Sequence, residues 1–229
     1  MWYDVIRSIF KGVITMELKN KVINFLGDSI TEGVGASSAE TRYVSRVAAI
    51  AGLARANNYG ISGTRIARQK NPDPNNRFDL DFCMRCVDMD KEANINVVFG
   101  GTNDYGHGDA PIGTSDDRTP ETYWGACHYL CRTLIETYPD AVTVICTPLH
   151  RLNEDAPSAG NGQPLCVYVG VLKSVAAYYS IPVLDLWSMS GMQPAVPTVQ
   201  KKYMPDGLHP SDAGHNLLAE RIVGFLSAL

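Results

Sequence analysis

Ser29 stands where the apolar run Val22–Leu26 gives way to Gly27-Asp28-Ser29-Ile30-Thr31-Glu32-Gly33. A serine at the C-terminal end of a strand, next to a helix start, presents its hydroxyl to the cleft beyond the sheet. Backbone N–H groups at such a junction can stabilise a developing oxyanion. A serine hydroxyl is a weak nucleophile and needs a base beside it. Asp206-Gly207-Leu208-His209-Pro210 offers one, with a carboxylate three residues before an imidazole in a Gly/Pro-bounded loop. A turn of that length can bring Asp206 onto one ring nitrogen of His209, fixing its tautomer and leaving the other nitrogen for the Ser29 proton. The plainer alternatives are that Ser29 caps a helix and that Asp206 and His209 close a surface turn.

Two further segments supply neutral donors. Gly100-Gly101-Thr102-Asn103-Asp104 follows the run Ile95–Phe99, and the Asn103 amide can donate to an oxyanion without carrying charge. In Asn58-Tyr59-Gly60-Ile61-Ser62-Gly63-Thr64, Gly63 has no side chain to keep a substrate from its backbone N–H. Glycines and asparagines at such places also simply serve turns. His107 and His150, on long loops, are candidate substrate contacts; so are Asp28 and Asp104, whose alternative is to brace their loops through backbone hydrogen bonds. His215 is expected to cap packing or face solvent, and His128 to be structural. Tyr105, Trp124 and Trp187 have the shape to stack on a sugar ring, although aromatics there more often pack in cores. Cys83-Met84-Arg85-Cys86 has C-x-x-C spacing but no second pair to complete a zinc site. Two thiols on one helix face is the simpler expectation.

These residues need a scaffold, and the pattern of the chain describes one. Five β-rich runs, Val22–Leu26, Leu53–Asn58, Ile95–Phe99, Val142–Cys146 and Pro182–Leu186, alternate with helix-length segments at Thr41–Gly52, Asp79–Met89, Pro120–Tyr138, Leu165–Tyr179 and Ser211–Leu229. Four of the runs are nearly continuously apolar, as parallel strands buried on both faces are. Strands alternating with helices predict an α/β fold, a parallel sheet of about five strands in a three-layer α/β/α sandwich. Two long polar connections, 100–119 and 147–164, both follow strands and so leave the C-terminal edge of the sheet, where open α/β sheets bind ligands.

Composition narrows the function classes. The chain has 229 residues, 45% hydrophobic and 19% charged, with a formal net charge of −4. It is long enough to bury a core without staples, and no block of basic residues offers a face for nucleic acid or anionic lipid. No apolar run approaches the ~18 residues of a membrane span. Six cysteines without an evident signal point to free thiols in a reducing compartment, hence the cytoplasm. Residues 1–15 carry apolar positions at helical spacing interrupted by Arg7 and Lys11, which reads as an amphipathic extension rather than a secretory signal. It is expected to pack on the body or on a second subunit, which leaves room for a homo-oligomer; Met16 is an alternative start. Residues 16–229 are expected to form a single domain.

Taken together, GDSIT after the first strand, the ISG glycine after the second, GTND after the third and DGLHP before the last helix resemble the SGNH hydrolases of the GDSL esterase–lipase family, from about Val22 to Leu229. The resemblance implies a flavodoxin-like three-layer sandwich. It implies Ser29 as nucleophile, His209 as general base and acid, and Asp206 as its orienter. The oxyanion hole would be the Ser29 N–H, the Gly63 N–H and the Asn103 side chain. Such enzymes cleave esters and thioesters through an acyl-enzyme with no metal and no organic cofactor. The chain has no G-x-S-x-G elbow of the α/β-hydrolase type. Acidic residues on the two long loops, partly offset by Arg118 and Arg151, disfavour an anionic substrate. A short acyl group such as acetyl, carried by a carbohydrate or other small neutral alcohol, is therefore expected. A lysophospholipase or thioesterase is the competing enzyme. The readings of another class are a non-catalytic carbohydrate binder, which would lack the serine or histidine, and a flavodoxin-like mononucleotide binder. The latter would cradle a phosphate where Gly27-Asp28-Ser29 puts a carboxylate.

Overall fold

A computed structural model describes residues 16–73 and 75–229. The amphipathic helix expected over residues 1–15 lies outside them. Strands β1 (Val22–Gly27), β2 (Arg55–Gly60), β3 (Ile95–Phe99), β4 (Val142–Cys146) and β5 (Val183–Leu184) form one parallel sheet in the order β2-β1-β3-β4-β5. This is the flavodoxin-like order, whose reversal falls between β1 and β3. Alternation along the strands feeds two separate cores. Ile23, Phe25, Val97, Phe99, Val144 and Cys146 face helices α2 (Tyr43–Ala51) and α9 (Asp212–Ser227). Leu26, Val98 and Ile145 face α5 (Tyr123–Thr137), α6 (Leu165–Tyr178) and the short α3 (Phe82–Arg85). The remaining helices are short: α1 (Ser29–Glu32), α4 (Thr102–His107), α7 (Leu186–Met189) and α8 (Pro197–Tyr203). Among the described residues no helix is long and apolar enough to cross a membrane.

Several boundaries differ from the sequence expectation for identifiable reasons. β2 starts two residues late because Gly52, left-handed at φ 63°, closes α2 and Leu53 donates back to the Ala48 carbonyl at 3.0 Å. As an edge strand, β2 tolerates its polar Arg55, Asn57 and Asn58. Asp79–Met89 does not form one helix. Asp81 accepts from the Met84 N–H at 2.7 Å and so starts α3 afresh after a 3₁₀ turn at Arg77–Asp79. Aspartate competes for backbone donors in this way, and so favours caps over helix interiors. Asp185 likewise caps α7 and cuts β5 to two residues. The helix expected from Pro120 begins at Tyr123, capped by Thr122. The Cys83 and Cys86 thiols are both buried in the core, and burial pushes Cys86 up to about 12.

Candidate active site

Strand ends assemble the site. Gly27 stands in register with Gly60 on one side and Phe99 on the other, so the segments after β1, β2 and β3 leave the same edge at one level. A Cβ on Gly60 would lie 2.1 Å from the Glu32 backbone nitrogen, and one on Gly27 would lie 2.9 Å from the Phe99 carbonyl oxygen. Only glycines let β1, β2 and the α1 turn approach so closely. Asp28 starts α1 by accepting from the Ile30 N–H at 3.0 Å, which places Ser29 as the first helical residue. The Ser29 N–H is therefore among those the helix leaves without an internal partner.

The Ser29 hydroxyl lies 3.0 Å from Nε2 of His209, 180 residues away in sequence. Nδ1 of the same ring lies 2.7 Å from Asp206 Oδ2. The other Asp206 oxygen accepts the backbone N–H of Leu208 at 2.9 Å and of His209 at 2.7 Å. Burial works to raise the pKa of Asp206, but hydrogen bonds from the His209 ring and these two N–H groups outweigh it and hold the carboxyl below its ordinary value. Gly207, at φ 77°, makes this turn, and a Cβ there would strike Leu152. The loop after β4 also holds it directly, the Leu152 N–H donating to the Gly207 carbonyl at 2.9 Å.

The other candidate donors lie on the segments after β2 and β3. Asn103 is buried on α4 and gives one amide hydrogen to the Thr64 carbonyl at 3.0 Å. Its second amide hydrogen is left over. That bond ties the Asn103 amide to the residue after Gly63, and the Gly63 N–H itself has no acceptor among the described residues. Gly63 is left-handed at φ 76°, and a Cβ would lie 2.6 Å from the Phe78 ring, so the position demands glycine on two counts. Glu32 fixes the preceding residue, accepting the Ser62 N–H at 2.6 Å and pairing with Arg77 at 2.7 Å.

Asp28 and Asp104, weighed as substrate contacts, take the bracing role in the structure. Both are buried, and Asp104 accepts from the Ile66 and Ala67 N–H groups at 2.9 Å each, tying α4 to the loop that carries Gly63. Burial is the main cause that raises Asp28 to about 7 and Asp104 to about 6, with mutual repulsion adding to the rise at Asp28. His107 meets Arg65, Nδ1 to Nη1 at 2.9 Å, and burial with the nearby Arg65 and Arg151 lowers its pKa. His150 bonds Glu154 at 2.8 Å and lies on Trp187, ring centres 3.9 Å apart. His215 is fully buried, accepting from the Tyr43 N–H at 3.2 Å and reaching the Val34 carbonyl at 3.2 Å; it does not face solvent. His128 packs among Trp124, Tyr178 and Tyr179. Arg65 and Phe78 lie by the site outside the segments singled out in the sequence, whereas Glu32 and Thr64 fall inside them without a role having been read for either. The one sequence signal for them is nearness to the glycines of the two loops.

The family model described as the GDSL-like lipase/acylhydrolase family matches residues 25–217. No curated protein matches the chain. One solved structure is 34% identical, covering 93% of this chain and 99% of its own, with a TM-score of 0.81. A crystal structure from Lactobacillus plantarum is 30% identical over 91% of this chain and 97% of its own, with a TM-score of 0.78. An acetyl xylan esterase shares the fold at 17% identity, covering 90% of this chain and 99% of its own, with a TM-score of 0.62.

Proposed function

From the premise that the chain belongs to the GDSL-like lipase/acylhydrolase family, we propose that it is a serine ester hydrolase that releases a short acyl group through an acyl-enzyme. The observation that carries this reading is the hydrogen-bonded line Ser29–His209–Asp206, with links of 3.0 and 2.7 Å. Ser29 Oγ attacks the acyl carbonyl while His209 Nε2 takes its proton, and Asp206 stabilises the imidazolium that forms. The carbonyl oxygen, now negative, accepts from the Ser29 and Gly63 N–H groups and from the free Asn103 amide hydrogen. His209 then protonates the departing alcohol, and water repeats the sequence at the acyl-enzyme to free the acid. All three donors are neutral and held before substrate arrives, the condition under which one such donor is worth on the order of 10²–10³ in rate.

An acetyl-sized acyl group fits the polar character of the surrounding residues. Asn103, Arg65, His107 and Arg151 offer a long alkyl chain nothing to bury against. The shared fold with an acetyl xylan esterase agrees with a carbohydrate alcohol but carries only the fold. Hydrolysis of p-nitrophenyl acetate, butyrate and octanoate by wild type and Ser29→Ala tests the proposal. The expected result is activity greatest on acetate and lost in the variant. Retention of more than about a tenth of wild-type activity by Ser29→Ala would overturn the mechanism, since a positioned base alone contributes ~10²–10⁴. A lysophospholipase or thioesterase would give the opposite order, octanoate first.

A further inference from the structure

Beside the reaction centre lies a guanidinium that forms no ion pair among the described residues. Arg151, in the loop after β4, lays its Nη1 on the first residue of α4, donating to the Thr102 carbonyl and hydroxyl at 3.2 Å each. The guanidinium sits over the Tyr105 ring, 5.4 Å from its centre. Gly106 makes the space, for a Cβ there would lie 2.8 Å from Nη1. Glycine is unfavourable inside a helix, so the vacancy that seats this charge is kept against local preference. Asn103 and Gly106 stand three residues apart on α4, and Thr102, which receives the guanidinium, directly precedes Asn103, so the charge rests on the helix turn that carries the oxyanion donor.

The seat is incomplete as the protein alone fills it. Arg151 takes part in none of the ion pairs among the described residues. Its Nε is buried without a partner, and its Nη2 makes no hydrogen bond among the described residues. Burial lowers its pKa, while Tyr105, Asp28, Asp206 and Glu154 oppose that fall. The loop carrying Arg151 is bonded to the His209 loop through Leu152 and Gly207. Arg65, which meets His107 at the end of α4, already has Asp79 as its counterion.

Guanidinium groups suit carboxylates because two parallel N–H groups match two oxygens. We propose that the unpaired edge of Arg151 binds a carboxylate of the substrate, so that the ester this site takes is an acid with its charge a few bonds from the scissile carbonyl. The proposal rests on the ester-hydrolase reading above and replaces the neutral substrate expected from the acidic loops with an anionic one. The carboxylate belongs to either the alcohol or the acyl portion, and paired substrates separate the two.

p-Acetoxybenzoate against its methyl ester carries the charge on the alcohol side, and p-nitrophenyl hydrogen succinate against p-nitrophenyl butyrate carries it on the acyl side. In one pair the acid is expected to exceed its neutral partner in kcat/KM by about tenfold to a hundredfold, the worth of a charged hydrogen bond. Arg151→Gln should erase that ratio, and Arg151→Lys should restore part of it. The ratio is the readout, so a fall common to both members, as loosening of α4 would cause, leaves it unchanged and overturns the proposal. Equal rates in both pairs overturn it as well. Calorimetric titration of Ser29→Ala with the four esters separates recognition from turnover. Tighter binding of an acid, lost in Ser29→Ala/Arg151→Gln, supports the carboxylate site even where wild type cleaves nothing and the ester-hydrolase reading falls. Equal binding overturns the carboxylate site even where every ester is cleaved.

Discussion

At Asp206 a single carboxylate serves two ends, and they respond differently to substitution. One oxygen holds the turn through the Leu208 and His209 N–H groups, and the other meets the His209 ring. In Asp206→Asn the amide oxygen can keep the turn while the amide nitrogen faces Nδ1, favouring the tautomer that presents a proton, not a lone pair, to Ser29. The side chain is 55% exposed, so water can take over part of its role. The expected fall in kcat therefore lies toward the lower end of the ~10²–10⁴ that a positioned base contributes, with little change in thermal stability. Steady-state kinetics beside a melting curve checks both halves. A large loss of stability with kcat spared would make Asp206 a turn residue only. Asp206 and His209 are legible in sequence because a three-residue turn is local geometry. The bond from Asn103 to Thr64 spans 39 positions and the Arg65–His107 contact 42, and no spacing rule reaches that far. Arg151 is invisible for the same reason, its seat being made by a glycine on another element.

Elements carry the site by how closely they pack, and here the decisive positions are strand ends. β1, β3 and β4 are readable to within a residue because continuous apolar runs in a doubly covered sheet leave few alternatives. β2 is harder, being polar and at an edge, and the 79–89 segment fails because Asp81 prefers a cap to a helix interior. The short turns α1, α4 and α7 give no periodicity to read, yet α1 and α4 carry Ser29 and Asn103. Gly60 shows what holds α1 in place. It has no positive φ, so alanine there meets no conformational penalty, but its Cβ would strike the Thr31–Glu32 backbone, the Glu32 nitrogen at 2.1 Å and the Thr31 carbonyl carbon at 2.5 Å. Gly60→Ala must push α1 off β2, at a cost of about 1–3 kcal/mol for overpacking. At ~2–4 °C per kcal/mol for a chain of this size, the melting temperature should fall by several degrees. Because Ser29 rides on α1, kcat should fall too although no reacting group has changed. Unaltered kcat in a folded Gly60→Ala protein would show that α1 is positioned from elsewhere.

For the molecule as a whole, the strand order has an electrostatic consequence. The order of the strands reverses between β1 and β3, and the segments that follow these two strands carry Asp28 and Asp104, both buried carboxylates. Burial first, and at Asp28 their mutual repulsion as well, raises them to about 7 and about 6. A carboxyl whose pKa is raised on folding binds more protons in the folded chain than in the unfolded one between the two values. Its contribution therefore declines as pH climbs from about 4 toward 7 and levels off above. Each tenfold change in proton affinity is worth about 1.4 kcal/mol, so the decline at Asp28 is on the order of a few kcal/mol. The carboxyls held low, Asp206, Asp185 and Asp212 among them, act in another window, losing their contribution as pH falls below about 4. His107, His128 and His215 are held low by burial and push the other way, adding stability as pH rises toward 6.5. The raw curve mixes all three sets, so the informative quantity is a difference. Asp28→Asn keeps an oxygen for the Ile30 N–H, cannot ionise, and relieves Asp104 of its neighbour. Its melting temperature should run near or below wild type at pH 5 and above it at pH 8, the gap opening between those values. Parallel curves would mean that Asp28 is ionised throughout, and its pairing with Asp104 would then need a counter-charge, with Arg85, which already lowers Asp28, the first to substitute.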